Sequence, residues 1–351
     1  MPESIATLTQ GLPVEIGKID RALKQLWQEG EGAATRASLI NFAVYCEGAQ
    51  TVADTTGIIS LITRDHACRA ILIGLDPNTP GNTVQASIIA HCHLGRAGAK
   101  QVCCEQITFS LGKDGLSLIP NIVFSHLDSD LPLILWWRGE LPAESEEQLW
   151  TWVDRLIFDS QAWPHMAHQF ELIRNSIEPA APRMTLCDLN WTRSLYLRQA
   201  IAQIFDHPEF LGELDHVSAV EITHAPAMRS TALLLAGWLA AQLRWQLGQN
   251  NLESLRFVDS HANEIPVSFR EQPGRALGSL RLTAGDSWFL VAHRDQSSFL
   301  HADIRLSGEG VIHYLMPGGK GDLVSLLNDE LMSGGKHKVY LKAVSSIINA
   351  V

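Results

Sequence analysis

The segment "HCH" places three side chains of types that can bind a metal next to one another, with His91 and His93 on either side of Cys92. Histidine and cysteine are common ligands of zinc and iron. On a strand, however, alternate residues share a face, so the two histidines point to one side and Cys92 to the other. Two histidines with no carboxylate close by in sequence leave the ligand set incomplete. We therefore expect no metal site here.

A glycine-rich turn in "MPGGKGDLVSLL" has the composition of a phosphate cradle at the start of a helix. Its glycines, Gly318, Gly319 and Gly321, lack the G-x-x-x-x-G-K-[ST] spacing, and the turn follows a predicted antiparallel strand. The favoured interpretation is a turn whose Asp322 caps the following helix.

Nucleophile motifs are equally incomplete. S-x-x-K occurs in "SLGK" and "SGGK", without the partner motifs of that catalytic class. H-E-x-x-H, G-x-S-x-G and a G-x-G-x-x-G after the first strand are absent from the sequence. No set of residues forms a nucleophile, base and oxyanion site, so the sequence predicts neither catalytic residues nor a cofactor.

The six cysteines lie mainly in apolar or strand-like segments: Cys46, Cys68, Cys92, Cys103, Cys104 and Cys187. They form no C-x-x-C pair, and reduced thiols of a cytoplasmic protein are the expected state. The thiols of the adjacent Cys103 and Cys104 point apart on a strand, which favours buried packing. A disulfide between cysteines distant in sequence stays open.

The segment "SDLPLILWWRGELP" ends an apolar run with two tryptophans and an arginine. We predict a buried strand over 131–138. Trp136 and Trp137 then point to opposite faces, so core packing readily accounts for one of them. The sequence leaves open whether Arg138 faces a ligand, a partner protein or water.

The first half of the chain alternates strands with helices, which is typical of an α/β fold. "SLINFAVYC" and "CRAILIGLD" are predicted strands with a helix over 48–64 between them, and "TVQASIIAHCHLG" and "QVCCEQITFSLG" are predicted to form an antiparallel pair. A further helix follows a capping box at Ser145 and Gln148 and places Leu149, Trp152, Val153 and Leu156 on one face. We predict a mixed, mainly parallel sheet with flanking helices.

The second half opens with a predicted helix over 191–205, followed by the strand "VSAVEIT", a buried helix over 229–247 and a strand over 254–260. Short alternating runs over 264–316 indicate an antiparallel meander, and two helices end the chain. The expected organisation is an N-terminal α/β domain over 1–185 and a C-terminal α+β domain over 186–351.

Bulk properties exclude several classes of protein. The chain has 351 residues and a net charge of −11, which argues against nucleic-acid binding. The N-terminal residues lack the pattern of a signal peptide. The most apolar run, "TALLLAGWLAAQL", is too short to span a bilayer, which needs ~20 residues. We expect a cytoplasmic protein without membrane contact.

Four ordered segments resemble the OpcA family, the glucose-6-phosphate dehydrogenase assembly proteins of cyanobacteria and actinobacteria. "DLPLILWWRGELP" matches the family's D-L-P-[hydrophobic]-L-W-W-R-G-[DE]-x-P signature. "TRASLINFAVYC" and "RDHACRAILIGL" resemble its first two strands, with His-Ala-Cys-Arg where many members have His-Pro-x-Arg. "DLNWTRSLYLRQAIAQIFD" and "TALLLAGWLAAQL" are similar to two of its helices. The resemblance runs from about residue 34 to at least residue 250.

The resemblance implies a non-enzymatic role. The family promotes assembly of glucose-6-phosphate dehydrogenase into its active oligomer, raises its activity in the oxidative pentose phosphate pathway, and in photosynthetic members is linked to redox control through thioredoxin. We assign the partner interface to Trp136, Trp137, Arg138, Glu140, Trp191 and Arg193, because Trp and Arg dominate interface hot spots. The candidates for redox control are Cys103, Cys104 and Cys187.

Two other interpretations stay open. A packed joint between the two domains of the protein is the main rival explanation of the Trp-Trp-Arg motif. A different class of function, a sugar-phosphate- or nucleotide-binding α/β enzyme, would use the turn at Gly318, Gly319 and Gly321 or the ends of the N-terminal strands. If the motif is an interface, the double variant Trp137→Ala with Arg138→Ala weakens activation and leaves the fold intact.

Overall fold

The computed structural model of the protein describes residues 11–29, 35–36, 38–94, 101–142, 147–177, 179, 182–248, 254–294, 298–333 and 338–348. Its contacts divide into two compact units. The first comprises Met1–Phe158 and His168–Leu186, and the second comprises Asp159–Ala167 and Cys187–Val351. Both contain a large sheet with helices, which confirms the predicted mixed α/β class.

The first sheet is built from nine strands with helices between them. The elements as far as residue 188 are β1 (Leu12–Val14), α1 (Ile19–Glu29), β2 (Thr35–Arg36), β3 (Ile40–Glu47), α2 (Ala49–Ile62), β4 (Cys68–Asp76), β5 (Val84–Leu94), β6 (Gln101–Gly112), β7 (Leu133–Trp137), α3 (Glu147–Thr151), β8 (Arg155–Phe158), α4 (Met166–Leu172) and β9 (Thr185–Asp188). Short 3-10 or π turns occupy 16–18, 115–126, 160–162 and 173–177.

The strands of the first sheet follow the order β1-β5-β6-β4-β3-β7-β8-β9, with β2 beside β6. The central pairs β6–β4, β4–β3, β3–β7 and β7–β8 are parallel, whereas β1–β5 and β5–β6 are antiparallel. The predicted mixed, mainly parallel sheet is therefore confirmed. The chain passes from β3 through α2 to β4 on one side and later returns to place β7 on the other side of β3.

Continuous apolar runs explain why β3 and β4 form the centre of this sheet. Phe42–Cys46 and Ala70–Ile73 are buried without interruption, as expected for parallel strands covered on both faces. Helix α2 packs closely on β4 at Gly74, where an added Cβ would lie 2.4 Å from Cγ2 of Val52. A side chain at this glycine would therefore push the helix away from the sheet.

The second unit continues the chain from residue 189. Its elements are α5 (Leu189–Thr192), α6 (Leu195–Phe205), α7 (Pro208–Leu211), β10 (Val217–His224), α8 (Arg229–Leu243), β11 (Gln246–Leu247), β12 (Ser254–Val258), β13 (Glu264–Glu271), β14 (Leu277–Ala284), β15 (Ser287–Ala292), β16 (Phe299–Arg305), β17 (Val311–Pro317), α9 (Leu323–Met332) and α10 (Lys338–Ile347), with a 3-10 turn over Gly212–His216. The sheet order is β11-β12-β13-β10-β14-β15-β16-β17. Only β10–β13 pair in parallel among these described strands, and β14 to β17 form the predicted antiparallel meander.

Helix α8 is the centre of the second unit. Thr231–Ala240 are all buried, as predicted for this apolar helix. Gly237 allows α10 to approach closely, because a Cβ at this position would lie 2.5 Å from the carbonyl oxygen of Ala343. Within the described parts of the chain, no helix is both long and apolar enough to cross a membrane.

The predicted helix over 145–156 is wrong beyond Thr151. Asp154 forms hydrogen bonds with Leu133 instead, from its backbone N–H to the Leu133 carbonyl at 3.0 Å and from the Leu133 N–H to its carboxylate at 2.8 Å. These bonds align β8 beside β7, so Leu156 lies on a strand. Trp152 is 55% exposed and contacts Phe124, with ring centroids 6.3 Å apart, and Ser145 lies outside the described residues.

The predicted helix over 191–205 is divided in two. Asp188 caps α5 by accepting the N–H of Asn190, so the helical segment begins two residues earlier than predicted. The Ser194 hydroxyl donates to the Trp191 carbonyl at 2.7 Å, at the break between α5 and α6. A side chain that bonds the preceding backbone in this way competes with helix continuation.

Candidate functional site

The Trp-Trp-Arg motif lies where the order of the first sheet reverses. Tyr45 near the end of β3 and Trp137 at the end of β7 are register partners in neighbouring parallel strands. In open α/β sheets, ligands bind outside the carboxyl ends of the strands at such a switch point. Gly139 then turns the chain with a φ of +113°, a backbone region that favours glycine. The motif therefore occupies the position where a ligand site is expected.

Aromatic rings on both sides hold Trp137. Its ring stacks on Tyr45 with centroids 3.8 Å apart and packs against Trp150 at 5.7 Å. The indole N–H donates to the Glu140 carbonyl at 2.9 Å. With its polar atom bonded and 2% of its surface exposed, Trp137 is part of the core of the first unit.

Arg138 and Trp136 form a second contact at the end of β7. The guanidinium carbon lies 5.0 Å from the centroid of the Trp136 ring, within cation–π range. One guanidinium N–H donates to the hydroxyl of Thr55 on α2, and the backbone N–H of Arg138 donates to Tyr45. Arg138 thus ties the strand to the helix that follows β3. Groups of the same unit therefore hold both tryptophans and the arginine.

The second family-like motif lies in the other unit, around α5. Trp191 is 2% exposed, and the Arg198 guanidinium stacks over its ring at 3.6 Å. Arg193 makes a bidentate ion pair with Asp159, with both N–O distances at 2.7 Å. Trp191 and Arg193 are therefore held within the second unit.

Asp188 at the start of this motif is a buried acceptor with four donors. It receives the backbone N–H groups of Ser160 and Asn190 at 2.9 Å each, and the hydroxyls of Ser160 at 2.6 Å and Tyr340 at 2.9 Å. Burial raises the pKa of Asp188 to about 7, the nearby charge of Asp159 adds to the rise, and these hydrogen bonds oppose it. The network joins three chain segments inside the second unit.

The expectation that all six cysteines are reduced thiols is wrong for two of them. Cys92 and Cys103, register partners on β5 and β6, form a disulfide across the two strands. Cys103 is buried, whereas Cys92 is exposed. Cys104 points away as predicted and shares a hydrogen bond with Cys68 on β4, which lowers the pKa of the Cys104 thiol. Cys187 is buried in the second unit.

The other sequence candidates have structural roles where the structure describes them. His91 is buried and bonds Gln106 at 2.8 Å, while the side chain of His93 lies outside the described residues. No group of three or more His, Cys, Asp or Glu residues among the described ones is placed to hold a metal ion. In the glycine-rich turn, Asp322 caps α9 through the Ser325 N–H at 3.0 Å, as predicted.

Several residues that shape these clusters do not appear among the sequence candidates. Thr55 and Tyr45 come from separate elements, and only strand order brings them to the motif. Asp188 carried a signal, because an Asp that precedes a helical run is a common N-cap. Cys92 also carried one, since it lies on a strand predicted to pair with that of Cys103.

Of the interface candidates, Trp136, Trp137 and Trp191 are each 2% exposed. Arg138 and Arg193 are half-buried, and Glu140 is exposed. Near the Trp-Trp-Arg motif, Glu140 and part of Arg138 are therefore the candidate residues that reach the surface. Trp152, two residues from the buried Trp150, adds an exposed aromatic ring that the sequence analysis had placed on one face of a predicted helix. The interface role of the candidate residues stays a prediction.

Two family profiles match successive parts of the chain. The OpcA profile described as the N-terminal domain of the glucose-6-phosphate dehydrogenase subunit matches residues 60–175. The profile described as the C-terminal domain of the same subunit matches residues 184–344. The two matches include the Trp-Trp-Arg motif and the α5 motif, one in each.

A curated relative, the putative OxPP cycle protein OpcA of Synechocystis sp., is 26% identical over 241 residues. The alignment covers 64% of this chain and 50% of that protein, so the chain spans about half the length of its curated relative. Among solved structures, biliverdin reductase from Synechocystis sp. is similar at a TM-score of 0.49 and 8% identity, covering 89% of this chain and 98% of that one. An oxidoreductase from Bacillus cereus gives 0.47 and 10%, covering 88% and 95%.

Proposed function

Because the chain belongs to the OpcA family of glucose-6-phosphate dehydrogenase assembly proteins, we propose that it binds this dehydrogenase and promotes its active oligomer. The observation that carries the proposal is the ordered match of both family profiles over most of the chain. In this role the protein acts in the cytoplasm on the oxidative pentose phosphate pathway, without a reaction of its own.

The physical mechanism is preferential binding. An effector shifts an assembly equilibrium only by binding the assembled state more tightly than the dissociated one. Our proposed contact residues are the half-buried Arg138 and the exposed Glu140 of the Trp-Trp-Arg motif, together with the exposed ring of Trp152. Aromatic and Arg side chains suit this use because they carry much of the binding energy of interfaces.

The test measures the dehydrogenase rate against glucose 6-phosphate concentration, with and without the purified chain, using the cognate enzyme. We expect the chain to lower the half-saturating concentration by about fivefold or more, the lower range of allosteric coupling, or to raise the maximal rate. Light scattering on the same mixture should show a larger complex. A complex without any kinetic change would indicate a passive scaffold, and no complex at all would refute the proposal.

A surface variant locates the contact in the same assay. Trp152→Ala should weaken activation while leaving the fold unchanged, because more than half of the side chain is exposed. Tyr314→Ala, which removes an exposed ring from β17 in the second unit, is the matched control and should activate like the wild type. Equal activation by both variants would remove Trp152 from the interface.

We also propose that the Cys92–Cys103 disulfide links this activity to redox state, with thioredoxin as the reductant. Disulfide exchange requires a thiolate to reach one sulfur, and Cys92 is the exposed member of the pair. The third candidate, Cys187, is buried, and so is Cys104. The accessible sulfur is therefore that of Cys92, which the sequence candidates did not include.

Cys92→Ser should abolish any difference in activation between oxidising and reducing conditions. It should also lower the free energy of unfolding by about 2–3 kcal/mol under oxidising conditions and have little effect under reducing ones, since a short disulfide loop restricts the unfolded chain. Activation and urea unfolding, measured in both conditions beside the Cys187→Ser control, check this. A wild-type chain that activates equally in both conditions would refute the redox link.

A further inference from the structure

The second unit contains a cavity with cationic and hydroxyl side chains that the proposed function does not use. It has a volume of about 310 Å³ and lies at the ends of β10 and β13 and the beginning of β14. Six of its ten described lining residues are polar: Thr223, Gln272, Arg275, Ser279, His293 and Arg294. None of these ten described residues is acidic. From this cavity we infer an anion-binding site, and we propose that it takes a small phosphorylated metabolite.

The position of the cavity follows from the strand directions. β10 and β13 pair in parallel, so their carboxyl ends lie at one edge of the sheet. Thr223 is the penultimate residue of β10, and Gln272 directly follows β13. Residues at the carboxyl ends of both strands therefore line the cavity together.

Charge selects the class of ligand. Arg275 and Arg294 supply guanidinium groups, whose planar donors match phosphate and carboxylate oxygens. Arg275 donates to the carbonyls of Gly319 and Lys320 at 3.1 and 2.7 Å, and Arg294 pairs with Asp303. Asp303 also bonds His313 at 2.7 Å. The guanidinium groups are thereby held in place, and an anion in the cavity adds to contacts already formed.

Hydroxyl and backbone groups complete a polar wall. The hydroxyls of Thr223 and Ser279 bond each other across β10 and β14. Gly278 lies beside them, where an added Cβ would come within 3.3 Å of the Thr223 hydroxyl. Gly274 has a φ of +144°, which favours glycine in this turn, and an added Cβ there would meet no atom within 4 Å. The volume is at the lower end of ligand pockets, about 300–1,000 Å³, and suits a phosphate on a small sugar.

The test is isothermal titration of the full chain with inorganic phosphate, then with glucose 6-phosphate and with glucose. Phosphate and glucose 6-phosphate should bind saturably, and glucose should not. Arg275→Gln and Arg294→Gln should each weaken binding about tenfold or more, since each removes a charge-assisted hydrogen bond. Arg256→Gln is the matched control, because Arg256 forms an exposed ion pair with Glu264 and should leave binding unchanged.

A second measurement keeps the proposal testable if Arg275→Gln disturbs the turn that it bonds. Amide NMR shifts of the wild-type chain on addition of phosphate should concentrate at Gly274, Gly278 and His293. Shifts confined to other residues, or no saturable binding of phosphate or glucose 6-phosphate, would overturn the site. Because the titration does not involve the dehydrogenase, the anion site can be refuted while the proposed assembly role holds. The assembly role can likewise be refuted while the anion site holds.

Discussion

Trp137→Ala is expected to lower the free energy of unfolding of the first unit by about 3–5 kcal/mol, the usual loss for a buried Trp. The ring stacks on Tyr45, contacts Trp150 and donates a hydrogen bond to Glu140. Its removal leaves a cavity between β3, β7 and α3 and an unpaired carbonyl. Hydrogen exchange of the β3 amides reports the opening of this unit and is the measurement to make.

Trp152→Ala is the matched control, because this Trp is exposed and close in sequence. Its effect on stability should stay within about 0.5 kcal/mol. Comparable losses for the two variants, or β3 amides that exchange at the wild-type rate in Trp137→Ala, would contradict the role of Trp137 in the core.

This prediction changes how the Trp-Trp-Arg motif can be tested as an interface. The double variant Trp137→Ala with Arg138→Ala removes a core ring, so a loss of activation could come from unfolding alone. Trp152→Ala separates the two effects, since the exposed ring is removed without opening the core. Buried rings thus hold the end of β7 within the first unit, and the interface role of the motif's exposed edge stays a prediction.

The central strands of the first unit can be predicted from sequence because burial on both faces requires uninterrupted apolar residues. The run in β3 and the run in β4 are of this kind. The helix predicted over 145–156 is wrong beyond Thr151 because its last residues begin a buried apolar run of the same kind. Leu156, Ile157 and Phe158 form a short apolar run that fits a strand as well as a helix, and pairing with β7 decides between them.

The contacts of the candidate sites depend on strand order, which local pattern does not determine. Thr55 reaches Arg138 across 83 positions of sequence, and Tyr340 reaches Asp188 across 152. The sequence indicates that Trp136, Trp137 and Arg138 are special in type. It does not indicate that their own unit already binds all three, because no periodicity connects residues so far apart. The cavity at Arg275 and Arg294 is hidden for the same reason.

Asp188→Asn is expected to flatten the pH dependence of stability of the second unit. The pKa of Asp188 is about 7 in the folded state, against 3.8 for an unperturbed aspartate, so the folded state holds a proton that the unfolded chain releases at lower pH. Stability from this group is therefore highest at acid pH, decreases as pH rises towards 7 and is constant above it. Between pH 5 and 8 the loss from Asp188 alone is about 2–3 kcal/mol.

An asparagine keeps the geometry of the protonated acid without titrating. Its carbonyl oxygen can accept the N–H groups of Ser160 and Asn190, and its amide can donate to the Ser160 or Tyr340 hydroxyl. Asp188→Ala, by contrast, leaves four donors without an acceptor and should cost about 3–5 kcal/mol at neutral pH.

The measurement is the opening free energy of the α8 amides by hydrogen exchange, at pH 5 and at pH 8, for wild type and Asp188→Asn. Comparing the change with pH in the two proteins cancels the groups they share, so the difference belongs to Asp188 and its neighbours. Asp286→Asn, which removes an exposed carboxyl from the turn between β14 and β15, should reproduce the wild-type pH dependence. Parallel pH profiles for wild type and Asp188→Asn would show that Asp188 is ionised throughout this range, and that its four donors outweigh the cost of burying the charge.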